Sequence, residues 1–135
     1  MSTLSHFDQL LQAAAAQSQP QQLLFVFAAA RLPDDATPAQ RAGFDAGQGG
    51  VLEPLACVDK TPDELQSFQA LVEEARSACP PWQVVFIATL AGQDGQPPAA
   101  SRVDAALARM VEGLRAGDLA PYMALDPQGE PLVFS

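Results

Sequence analysis

Leu23-Leu24-Phe25-Val26-Phe27-Ala28 is an apolar run with no polar alternation. A strand of that kind is covered on both faces, which suits a parallel or mixed sheet with helices on each side. Two more apolar strands are expected at Val51 to Val58 and Val84 to Leu90. Between them the period changes. From Pro62 to Ala78, the residues Leu65, Phe68, Leu71, Val72 and Ala75 recur three or four apart, while Gln66, Gln69, Glu73, Glu74 and Arg76 fall on the opposite side. That is the spacing of an amphipathic helix laid on a sheet. This strand-helix-strand unit is the centre of the predicted fold.

The remaining segments read as layers around it. Leu4, Phe7, Leu10, Leu11 and Ala14 sit at helical spacing over residues 4–17, with Ser5 and Asp8 as a capping pair and Pro20 beyond. Thr37, Pro38 and Gln40 specify the start of a short helix of about two turns, after which Gly47, Gly49 and Gly50 release the chain. Thr61-Pro62-Asp63-Glu64 reads as the start of the central helix, and Pro80-Pro81 as its end. Residues 91–99 are turn formers. Ser101 and Asp104 are the expected caps of a further helix carrying Val103, Leu107, Met110 and Leu114, and Gly117 is its stop. A closing hairpin is expected from Tyr122 to Leu125, through Asp126-Pro127-Gln128-Gly129, to Glu130 to Phe134. Together these predict one α/β domain over residues 1–135: a mixed sheet of about five strands with helices on both faces and a C-terminal β-hairpin. Strand-helix-strand crossovers would make the second to fourth strands parallel.

Composition adds to this in two ways. With 48% apolar and 17% charged residues in 135, the chain has material for a core and too little charge to be disordered. The longest apolar runs, Leu23 to Ala30 and Val84 to Ala88, fall far short of the roughly 20 residues of a membrane span. The N-terminus lacks the basic and then apolar pattern of a secretory signal, so the cytoplasm is the expected compartment and Cys57 and Cys79 are expected to be free thiols. The net charge is −9, with Lys60 the sole lysine and the six arginines scattered. Phosphate neutralisation needs clustered cations, so neither nucleic acid nor an anionic membrane is an expected partner.

Candidate chemistry is sparse. In open α/β sheets ligands gather beyond the carboxyl ends of parallel strands. If the first strand is parallel to its neighbours, that edge collects Arg31, Asp34 and Asp35, then Asp59 and Lys60, then Gln93 and Asp94. Lys60 with the amides near Thr61 to Asp63 could hold a carboxylate or phosphate. The simpler reading has Thr61 satisfying those amides, Asp59 helping to cap, and Lys60 paired with Asp34 or Asp35. Cys79-Pro80-Pro81-Trp82 lacks the second cysteine of a redox motif and follows a helix rather than opening one. Cys57, inside an apolar strand, reads as a small core residue. His6, the only histidine, is too isolated for a nucleophile-base pair. Gly43, Gly47, Gly49 and Gly50 lack the Lys-Ser/Thr of a phosphate loop. Asp34, Asp35, Asp45 and Asp59 do not alternate as calcium ligands do. No catalytic residue, metal or cofactor is assigned.

Leu23 to Lys60 also carries a resemblance. Phe25-Val26-Phe27, Leu32-Pro33-Asp34-Asp35, Thr37-Pro38, Gln40-Arg41, Gly47-Gln48-Gly49-Gly50 and Cys57-Val58-Asp59-Lys60-Thr61-Pro62 resemble a small proteobacterial family whose members often bear the label "ribonucleotide reductase subunit alpha". A reductase large subunit is a barrel several times longer, with a radical cysteine and a redox pair, so two isolated cysteines imply no reductase chemistry. The element order is also similar to the N-terminal domain of the enhanced serine sensitivity protein B family, a likeness that implies no catalytic residues.

These readings converge on a non-catalytic cytosolic binding or protein-interaction module, with a second copy or another protein as partner. The rival is a small-molecule-binding protein or small enzyme using Arg31, Asp34, Asp35, Asp59 and Lys60. That rival requires the five side chains to meet in one concave pocket. The module instead requires an apolar surface, near Phe44 or the hairpin edge.

Overall fold

A computed structural model of the chain describes residues 6–31, 37–45, 51–65, 67–119 and 121–132. The elements run α1 (His6–Ala15), β1 (Gln21–Arg31), α2 (Pro38–Asp45), β2 (Val51–Lys60), a 3-10 turn (Pro62–Glu64), α3 (Phe68–Ala78), β3 (Val84–Ala91), α4 (Ala100–Ala116) and β4 (Met123–Leu125). Four strands form one sheet in the order β2-β1-β3-β4.

The central run behaves as its composition dictates. Leu23 to Ala28 are each at most 1% exposed. Alternate side chains leave a strand on opposite sides, so Leu23, Phe25 and Phe27 enter one core layer and Leu24, Val26 and Ala28 the other. The first layer is closed by Phe7 and Ala14 of α1 and by Leu71 and Ala75 of α3. The second is closed by Val103, Met110 and Leu114 of α4. Helices therefore cover both faces.

The strand directions correct the sequence expectation. β1 is antiparallel to both β2 and β3, and β4 is antiparallel to β3. β2 and β3 do run the same way, as a strand-helix-strand crossover requires, but β1 lies between them and no two parallel strands are neighbours. The apolar run in β1 signals burial on both faces and says nothing of the direction of its neighbours. A register shift at Phe27/Ala28 lets β2 pass Pro54, which has no N–H to give to the ladder.

Local signals were mixed in outcome. Thr37 and Gln40 form a reciprocal capping box, with Gln40 N donating to Thr37 Oγ1 at 3.1 Å and Thr37 N to Gln40 Oε1 at 2.8 Å. Gly117 ends α4 in the left-handed region at φ 79°. Pro62–Glu64, by contrast, is a 3-10 turn only; α3 starts at Phe68, where the Ser67 hydroxyl accepts from Ala70 N at 3.1 Å. α4 is preceded by Ala99 rather than capped by Ser101 and Asp104.

Residues 91–99 are held by bonds: Gln93 and Gln96 exchange two backbone bonds around Asp94 (φ 54°) and Gly95 (φ 76°), a two-residue turn with both central residues left-handed. The Asp126 turn forms as well, with Asp126 Oδ1 accepting from Gln128 N and Glu130 N at 2.9 Å each. Of the expected fifth strand, Glu130 to Phe134, the described residues show only an isolated bridge between Leu125 and Pro131, where proline again supplies no donor. Residues 133–135 lie outside the described part.

Candidate functional site

The antiparallel order separates Arg31 from Asp59 and Lys60, three of the five residues expected to share a site. Arg31 pairs with Val51 at one end of β2, and Lys60 closes the other end opposite Leu23. The two are separated by the length of β2, roughly 30 Å at about 3.3 Å per residue. Asp34 and Asp35, and the side chain of Arg31, lie outside the described residues. Only Asp59, Lys60, Gln93 and Asp94 share the expected end, because β2 and β3 both finish there.

At that end Lys60, Asp59 and Glu64 already have partners, whereas the Gln93 and Asp94 side chains have none among the described residues. Lys60 Nζ lies 2.9 Å from Glu74 Oε1 on α3, with Lys60 19% and Glu74 53% exposed. Glu74, nearly two turns into α3, thus takes the role expected of Asp34 or Asp35. Asp59 Oδ2 accepts from Gln22 Nε2 at 2.8 Å. Glu64 Oε1 accepts from the Thr61 amide at 2.9 Å and the Thr61 hydroxyl at 3.0 Å. Those two bonds, the amide first, hold the Glu64 carboxyl below the usual glutamate range.

A neighbouring cleft of about 480 Å³ runs between the end of α1, Gln19 to Gln21, Thr61 to Asp63 and Gly95. Its glutamines are also occupied. Gln17 donates to Ala13 O, Gln21 donates to Gln19 O, and Gln19 Oε1 accepts from Gly95 N. The cleft is a seam of structural bonds.

A second concavity has a different character. Two adjoining clefts of about 300 and 330 Å³ share Val72, Arg76 and Pro127, and so form one groove between α3 and the Asp126 turn. Its position follows from local structure. Phe68, Val72, Arg76 and Cys79 succeed one another along one side of α3, next to the face that Leu71 and Ala75 bury. The Asp126 turn forms the opposite wall, and Gly129 sits so close to Phe68 that a Cβ there would be 3.3 Å from the ring. Trp82 backs the far end, 8% exposed and packed edge-on against Phe27 with centroids 4.9 Å apart.

The polar groups of this groove are few. Cys79 Sγ donates to Ala75 O at 3.4 Å, and burial pushes its thiol up. Cys79 follows a helix, as expected, at the C-terminal end of α3. Arg76 lines both clefts and has no hydrogen bond or ion pair to another described residue. Glu73 lines the Phe68 end only.

No family model, curated protein or solved structure matches this chain. Its candidate chemistry therefore rests on its own geometry. Among the described residues, no three His, Cys, Asp or Glu side chains gather as a metal site needs. Cys57, expected in the core, is exposed on the edge strand β2. Partial burial still raises its thiol.

The groove residues were visible in the sequence only in part. Phe68 and Val72 belong to the apolar stripe of α3, and Arg76 was assigned to its water face. What closes one side of the stripe and leaves the other open is where the Asp126 turn lands, and that is a tertiary fact.

Proposed function

We propose that this chain is a non-catalytic cytosolic binding module whose working surface is the groove along α3. One observation carries the reading: Phe68, Val72 and Pro127 are only half-buried and, with the edge of the buried Trp82, line a groove open to solvent. An apolar groove of a few hundred cubic ångströms with few polar groups is the usual form of a ligand site. Two free cysteines, one of them exposed, suit a reducing compartment, and no helix among the described residues is long and apolar enough to cross a membrane. We also propose kinship with the small proteobacterial family that the Leu32-Pro33 and Cys57 to Pro62 motifs resemble.

The test is saturable binding of a neutral apolar dye such as Nile red. Val72→Asp, with its circular dichroism retained, should abolish that binding. Leu132→Asp, away from the groove, should leave it intact. Absence of saturable binding, or binding indifferent to Val72→Asp, would overturn the proposal.

Self-association is a second reading, favoured by Leu132, the large apolar side chain exposed (36%) beside β4. Light scattering at rising concentration should then show a dimer that Leu132→Asp dissolves.

A further inference from the structure

We infer that the Trp82 end of the groove takes an apolar carboxylate, a molecule with one carboxyl group a few bonds from an aromatic or branched apolar body. The inference rests on the groove reading and adds its ligand class. Its starting point is the distribution of the cations. In a chain of sixteen acids and seven bases, cations are expected to find acids. Lys60 holds Glu74, Arg115 approaches Glu112 at 4.0 Å, and Arg102 donates to Ala91 O. Arg41, Arg76 and Arg109 have no side-chain partner among the described residues, and of these three Arg76 is the one that borders the apolar cleft.

The two ends of the groove are not equivalent. At the Phe68 end Glu73 shares the lining with Arg76 and would repel an anion. At the Trp82 end the lining is Val72, Arg76, Cys79, Pro81, Trp82 and Pro127, with no carboxylate among the described residues. Cys79 has its thiol directed to Ala75 O, so the guanidinium is the ionic partner available there. Its planar fork matches a carboxylate with two parallel N–H donors. Trp82 and Val72 offer the apolar wall for the rest of the molecule, and about 300 Å³ suits a single small acid.

Free organic acids and peptide chain ends share this chemistry, so the experiment carries both. Trp82 is the sole tryptophan, and its emission reports this end of the groove directly. The intact protein is titrated with 3-phenylpropionate, with its amide, and with an N-acetylated tripeptide ending in a free phenylalanine carboxylate.

Saturable change in Trp82 emission with either carboxylate is expected, the tighter of the two naming the source. The amide, and Arg76→Gln with the acid, should bind about tenfold more weakly. Arg76→Lys should recover part of the loss, and Arg109→Gln should behave as the unchanged protein. Equal binding of acid and amide, or undiminished binding by Arg76→Gln, would overturn the inference and leave the groove reading standing. No saturable change with any of the probes would overturn both.

Discussion

The Lys60 end of the sheet is crowded with charged and amide side chains while the groove along α3 is mostly apolar, and the two also differ in where their polar groups direct their bonds. At the Lys60 end Lys60 bonds to Glu74, Gln22 to Asp59, Thr61 to Glu64 and Gly95 to Gln19, while Asp63 and Asp94 have no side-chain partner among the described residues. In the groove, Arg76 has no such partner among the described residues, and apolar side chains face outward beside it. A cluster of charges near a strand end is thus a poor guide to a site when those charges satisfy one another. A sparse, unclosed surface is the better one.

If the Lys60 end is structural, its substitutions should change stability and leave groove binding alone. The largest effect is expected at Gly92, which is buried and whose added Cβ would lie 1.8 Å from Gln96 O. Gly92→Ala must open the Gln93–Gln96 turn and strain the bond from Gly92 N to Pro20 O. We expect a loss of about 3 kcal/mol and a Tm lower by about 10 °C in a thermal melt.

Gly129 probes the groove wall. At φ 83°, alanine there costs about 1 kcal/mol from backbone strain. Its methyl would also press on the Phe68 ring, so Gly129→Ala should lower Tm modestly and weaken dye binding together. Lys60→Ala should do neither to any extent. The pair with Glu74 is largely solvent-screened, so urea unfolding should detect less than about 1 kcal/mol, with groove affinity unchanged.

The smallest effect is the pH dependence of Glu64. Its folded-state pKa is depressed by the Thr61 bonds, so its contribution is fully present above the unfolded-state value. That contribution is lost as pH falls through the depressed folded value. Stability of the native chain and of Glu64→Gln should therefore differ at neutral pH and converge in acid.

Much of the fold was legible because it is written locally. The Thr37/Gln40 box, Gly117 and the Asp126 turn each need only their own neighbours. Burial on both sides of Leu23 to Ala28 needs only composition. Sheet order is another matter: the β2-α3-β3 pattern makes those strands codirectional but cannot say that β1 lies between them. That one insertion puts Arg31 at the far end of the sheet from Asp59 and Lys60. The Ser67 cap is hard to see in the sequence because Thr61-Pro62-Asp63-Glu64 has the stronger signature, which the chain uses for a single 3-10 turn. The groove was hidden for a related reason, since its second wall comes from residues some fifty positions beyond α3.

The most direct measurement is a two-dimensional amide NMR titration of the whole chain with a small neutral probe such as benzyl alcohol, because it reads both surfaces at once. The account predicts saturable shifts along Phe68 to Cys79, at the Trp82 indole and around Gln128. Gln17 to Gln21, Thr61, Asp63 and Gly95 should stay still. Shifts confined to that second set, or none at either surface, would contradict the claim that the groove along α3 is where this protein binds.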